Sequence, residues 1–190
     1  MASDALRLFD LALAERLLAL DATALLAWLD ANLDGLKATT RRGAAAWLDV
    51  MRRTLPAELA GALPPLEAFE LHWDDLRVQL VDATTPEEAA SLVVAIAEKA
   101  AFGEERIELD VGEAVTGRCR AAPLEGALSS LALFRTGGPE RYRLLLPEQV
   151  DRLLAAAAGD LAEPGRARLA ALRDRCAAEP GLRVAYLFDL

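Results

Sequence analysis

Apolar residues recur every three or four positions through the first third of the chain. Leu6, Phe9, Leu13, Leu17 and Leu20 form one stripe, and Leu25, Leu26, Trp28, Leu29 and Leu33 form a second. That spacing collects side chains on one side of a helix with 3.6 residues per turn. Ser3 and Asp21 stand where N-caps belong, and Gly35 stands where a helix stops. A third stripe, with Trp47, Leu48 and Met51 inward, runs from about Thr40 to Thr54 and ends on Arg52 and Arg53, which suit the negative pole of a helix. Residues 1–62 therefore read as a helical N-terminal region, closed by Pro64–Pro65.

The period then changes. Phe69, Leu71 and Trp73 alternate with Glu70 and His72, and Leu76, Val78 and Leu80 alternate with Arg77 and Gln79. Alternation at period two predicts half-buried strands, here a hairpin turning at Asp74–Asp75. Thr85, Pro86 and Glu88 occupy N-cap, N1 and N3 of a capping box, so a helix should run from there to about Ala101 and stop at Gly103. Ile107, Leu109 and Val111 alternate with Arg106, Glu108 and Asp110, which predicts another strand. Residues 114–128 support no assignment. Residues 131–135 and 141–146 flank a Gly-Gly-Pro turn as a second hairpin. Helices follow from Pro147 to Ala158 and from Pro164 to Ala178. A last strand carries Val184, Tyr186 and Phe188 on one face. The expected fold class is α+β. N-terminal helices (1–62) precede a region (63–190) with a mixed, mostly antiparallel sheet of five to six strands and helices on at least one face, in one compact unit overall.

Composition supports a folded chain. Of 190 residues 54% are apolar and 27% charged, too apolar for a disordered polypeptide. Much of the apolar content is Ala and Leu, and Arg far outnumbers Lys, as GC-rich bacterial coding produces. No basic segment precedes an apolar core near the N-terminus, and no apolar run approaches the roughly 18 residues of a membrane span. A cytoplasmic protein without a membrane partner is expected. Cys119 and Cys176 lie far apart outside any CxxC, so two buried free thiols are expected.

The residue inventory argues against most familiar chemistry. His72 is the only histidine, so any Ser-His-Asp or Cys-His site would have to use it. One His and two separated Cys do not suit zinc. The phosphate-loop, dinucleotide and nucleophile-elbow signatures are missing, and Gly112 to Gly117 is followed by Arg118 and Cys119 rather than Lys and a hydroxyl. No catalytic residue, cofactor or metal ligand is assigned. Arg118 and Arg120 around Cys119 form either a solvated pair or a site that binds an anion or lowers the thiol pKa.

Charge supplies the positive signal. The chain carries a net −9, and the stretch from Leu63 to Glu113 holds thirteen acidic residues against three basic ones. An acidic face repels nucleic acid and anionic membranes and attracts basic proteins. Three readings follow. The first is a non-enzymatic protein-binding protein with an acidic surface, of the kind that a small bacterial toxin inhibitor or immunity protein uses against a basic partner. Its candidate contacts are Glu70, His72, Asp74, Asp75, Glu108 and Asp110. The second is a structural or regulatory subunit that assembles, as a homo-oligomer or on another chain, through helices carrying Trp28 and Trp47. The third is an enzyme that pairs carboxylates, with or without a divalent metal. The first ranks highest, since nothing identifies a nucleophile or base.

Overall fold

The two ends of the chain meet as neighbouring strands. β1 (Ala5–Asp10) pairs antiparallel with β4 (Leu182–Asp189), placing Leu6 opposite Tyr186 and Leu8 opposite Val184. β2 (Phe102–Glu108) lies on the other side of β1, and β3 (Glu140–Leu145) on the other side of β4. The result, among the described residues, is one antiparallel sheet of four strands in the order β2-β1-β4-β3. The computed structural model describes residues 4–32, 38–55, 63–79, 85–109, 117–119, 121 and 140–189. The chain divides into two compact units, one made of Met1–Ala12 with Ala101–Leu190 and the other of Leu13–Ala100.

The first unit is built around the sheet. Helices α7 (Pro147–Ala157) and α8 (Glu163–Ala178) pack on each other, and Val150, Leu153, Leu169, Leu172 and Cys176 join Leu6, Ile107, Leu145, Val184 and Tyr186 in one core. Each large apolar side chain removed from water there is worth about 1.5–3 kcal/mol. The register sends Phe9, Tyr142, Ala185 and Leu187 to the opposite face, where the rings of Phe9, Phe102 and Tyr142 meet at 5.0–5.9 Å. Val184 through Phe188 are all buried, so β4 reads as an unbroken apolar run. Pro147 opens α7, and Gln149 turns back so that its Oε1 accepts the Leu146 amide at 2.7 Å. Gly181 is needed for a close approach. Its carbonyl accepts the Leu11 and Ala12 amides, and a Cβ there would stand 2.8 Å from Ala12 Cβ.

The second unit is helical. It takes in α1 (Leu11–Leu18) from Leu13 onward, α2 (Ala22–Asn32), α3 (Ala38–Thr54), α4 (Pro65–Leu71), α5 (Trp73–Leu76), a 3₁₀ turn (Arg77–Gln79) and α6 (Pro86–Ala101) up to Ala100. Asp21 caps α2 as its spacing predicts, with Oδ1 accepting the Thr23 and Ala24 amides at 2.8 and 3.0 Å. Thr85 caps α6, with Oγ1 accepting the Glu88 amide at 3.2 Å. α3 packs on α2, α4 and α5, and Trp47 meets Phe69 edge-on at 6.5 Å. Trp47 is buried, whereas Trp28 is only half-buried.

Several expectations are corrected. The first described element is a strand, not a helix. Residues 5–10 form β1, and the helical stripe starts at Leu11. An inner strand buried on both faces loses its alternation, so Leu6, Leu8 and Phe9 imitate helical spacing. The expected hairpin over 69–80 is instead helical through residue 79. Pro65, Ala68, Phe69 and Leu76 are the buried positions, at helical spacing, while Leu71 and Val78 face solvent. Pro64–Pro65 starts a helix at its favoured N1 position rather than ending one. The sheet accordingly has four described strands instead of five to six, and all its pairings are antiparallel rather than mixed. β2 begins at Phe102, earlier than expected, because Gly103 belongs to the strand. The Arg7 guanidinium bonds to its carbonyl across an irregularity in the β1–β2 register. The arm at 131–135, together with Ser3, Leu33, Gly35 and Leu80, lies outside the described residues.

Candidate functional site

The acidic residues named from charge sort into two places. Glu70 lies on α4, Asp74 and Asp75 on α5, and His72 at the junction between the two helices. The two helices are separate: His72, at φ −123° and ψ 25°, ends α4 and starts α5. The His72 amide donates to the Ala68 carbonyl at 2.9 Å, and the Leu76 amide to the His72 carbonyl at 3.1 Å. Glu70, Asp74 and Asp75 are exposed, as is Glu67 one turn earlier, and His72 is half-buried. Arg77 approaches Asp74 at 3.3 Å, with both side chains mostly in water. An ion pair so exposed contributes at most about 1 kcal/mol and leaves the local charge excess in place. The expectation that Glu70 projects from a sheet face is corrected: it projects from a helix.

Glu108 belongs to the sheet unit, exposed on β2, where its Oε1 accepts Arg106 Nε at 2.6 Å. Asp110 lies outside the described residues. Four of the six candidates are therefore brought together on α4–α5, and Glu108 is carried by the other unit.

Two residues, one at the end of α4 and one in the 3₁₀ turn after α5, carry a signal that alternation hides. Leu71 is 64% exposed and Val78 76% exposed. The period-two reading turns Leu71 inward with Phe69 and Trp73. The helical reading, with Pro65, Ala68, Phe69 and Leu76 inside, turns both Leu71 and Val78 out. Leu71 is the last residue of α4 and Val78 lies in the 3₁₀ turn after α5, and the exposed Asp74 and Asp75 stand between them in the chain.

The cysteine flanked by arginines behaves differently from the reactive alternative. Cys119 is buried, and its thiol pKa is raised, chiefly by loss of water. Arg118 opposes that shift, while Asp4 and Asp160 add to it. Arg118 is exposed and pairs with Asp160 at 3.5 Å. Cys176 is also a buried free thiol with a pKa raised by burial. Arg120 lies outside the described residues.

Sequence reasoning did not single out Asp4. It is buried in the sheet unit, its Oδ2 accepts the Tyr186 hydroxyl at 2.6 Å, and its carbonyl accepts the Leu109 amide at 2.8 Å. A tyrosine on an inner strand needs a partner for its hydroxyl, and Tyr186 alone could have prompted a search for one. The arrangement ties β4 to the segments beside β1 and β2, which is structural work.

Among the described residues, no group of three or more His, Cys, Asp or Glu side chains is placed to hold a metal ion, and no helix is long and apolar enough to cross a membrane. No protein-family profile, curated protein or solved structure matches the chain.

Proposed function

We propose that this chain is a non-enzymatic binding protein that takes up a basic protein through the acidic surface of α4–α5, as an inhibitor or immunity-type protein does. One observation carries the reading. Four exposed carboxylates, those of Glu67, Glu70, Asp74 and Asp75, sit within nine residues and have Arg77 as the neighbouring cation. Charge displayed in this way draws in a basic partner over distances set by the ionic strength and raises the association rate more than the final affinity. Glu108 has a lesser part, because Arg106 already neutralises it. Asp110 and His72 remain candidate contacts of the same partner.

The test is capture of proteins from the native cell lysate on the immobilised chain at about 50 mM and about 500 mM salt, salts that bracket the screening range. The variant E70K/D74K/D75K is run in parallel. A basic protein retained in stoichiometric amount at low salt, released at high salt and lost by the variant is the expected result. Equal retention by the variant would overturn the reading.

A further inference from the structure

Resting on that reading, we infer that the segment received by α4–α5 is a cationic amphipathic helix of the partner protein, whose apolar side seats on Leu71 and Val78. Two large apolar side chains this exposed, within one short stretch, gain nothing for the fold from where they stand. Their neighbours restrict what can cover them. Glu67 and Glu70 precede Leu71 on α4, and Asp74 and Asp75 stand between Leu71 and Val78, all four exposed. A neutral apolar segment would strand these carboxylates against a low-dielectric surface, which is costly. A second copy of this chain would bring like charges face to face. A segment with apolar residues every three or four positions and Lys or Arg between them satisfies both sets at once, as amphipathic helices do in the grooves that receive them. The two parts then have separate tasks. The carboxylates set how fast the partner arrives and how strongly salt slows it. Leu71 and Val78 set how long it stays.

Three synthetic helical peptides of equal length test this by fluorescence anisotropy at low and high salt. One has a leucine stripe with lysines between, one the same stripe with glutamates between, and one lysines with serine in place of leucine. Each is titrated with the full chain, with Leu71→Ser/Val78→Ser and with E70K/D74K/D75K. The lysine–leucine peptide should bind, and the glutamate–leucine peptide should not. The Leu71→Ser/Val78→Ser pair should weaken the lysine–leucine peptide at least about tenfold, the scale of losing partial burial of two such side chains, with an unchanged salt slope. The charge-reversed variant should flatten that slope. Leu71→Asn/Val78→Thr, with unaltered thermal midpoint, guards against misfolding.

If the serine pair binds as tightly as the native chain, or the lysine–serine peptide binds as tightly as the lysine–leucine one, the inference fails and the acidic-surface reading stands. If charge reversal changes neither affinity nor salt slope, or no peptide binds, both fail. Concentration-dependent self-association abolished by Leu71→Ser/Val78→Ser would make a second copy the occupant and would also overturn the inference.

Discussion

The sheet unit and the α4–α5 stretch use the same kinds of side chain to opposite ends. In the sheet unit, surface charges meet their opposites: Arg106 with Glu108 at 2.6 Å, Arg166 with Glu163 at 2.6 Å, and Arg173 with Asp174 and Asp151 at 2.8 and 3.2 Å. Residues 140–189 hold eight acidic and eight basic residues. Residues 63–79 hold four acidic residues and one basic. The apolar residues divide in the same way. Those of β4 are buried in a continuous run, while Leu71 and Val78 stand in water. The sheet unit consumes its chemistry internally, and α4–α5 presents it. Substitutions in the first should therefore cost stability, and substitutions in the second should cost binding.

The largest effect is expected from Leu6→Ala. Leu6 is fully buried on an inner strand, between Ile107 and Tyr186 in register, so its loss leaves a cavity that hydrogen-bonded neighbours cannot close. Urea unfolding should show a loss of about 2–5 kcal/mol. A loss below the scale of a surface substitution would mean that the sheet is not the stability centre.

Gly181→Ala comes next. Its new Cβ would meet Ala12 Cβ at 2.8 Å, closer than real Cβ contacts allow, and the backbone hydrogen bonds from Leu11 and Ala12 oppose any retreat. Overpacking of this kind costs about 1–3 kcal/mol. Gly159→Ala is the matched control, because nothing lies within 4 Å of a Cβ at that position. It should leave the unfolding midpoint unchanged or slightly raised. Tyr186→Phe belongs at the same level. It withdraws the hydroxyl bonded to the buried Asp4 carboxylate, at a cost of about 1–3 kcal/mol. Equal midpoints for Gly181→Ala and Gly159→Ala would contradict the close packing assigned to this unit.

These contrasts explain what could be read in advance. Capping chemistry is local, with donor and acceptor within three residues, so Asp21 and Thr85 announce α2 and α6 correctly. Pro147 announces α7 for the same reason. β1 is not local. Its pattern of apolar positions depends on what lies against both of its faces, and its edges pair with β2 and with the far end of the chain. Residues 69–80 fit both periods, and only reading Pro65 as a first helical residue decides between them. The surplus of carboxylates at Glu70, Asp74 and Asp75 follows from counting and survives the change of period. The exposure of Leu71 and Val78 does not follow, because it reverses when the period is misread.

E70K/D74K/D75K sharpens the comparison from the other side. All three side chains are exposed, so unfolding free energy should change by no more than about 0.5 kcal/mol for each substitution. Large destabilisation, read by the same urea titration, would mean that the carboxylates serve the fold and would remove the contrast between the two regions.

The smallest effect comes from the two thiols, and it belongs to the sheet unit alone. Burial raises the pKa of both Cys119 and Cys176 in the folded state. The folded chain therefore holds these protons more tightly than the unfolded chain, whose thiols ionise near 8.5. Below that pH both states are protonated and the stabilisation is present in full. As pH rises through the unfolded value and on to the raised folded one, the unfolded state ionises first, and stability falls. Between pH 7 and about 10 the native chain should lose more stability than Cys119→Ala/Cys176→Ala, in which this linkage is absent. Taking the difference of slopes cancels the titration of tyrosines and lysines, which both proteins share. Parallel slopes would mean that the thiols are not sequestered, and the sheet core would then be open to water where Cys119 and Cys176 lie among the buried residues of β4, α7 and α8.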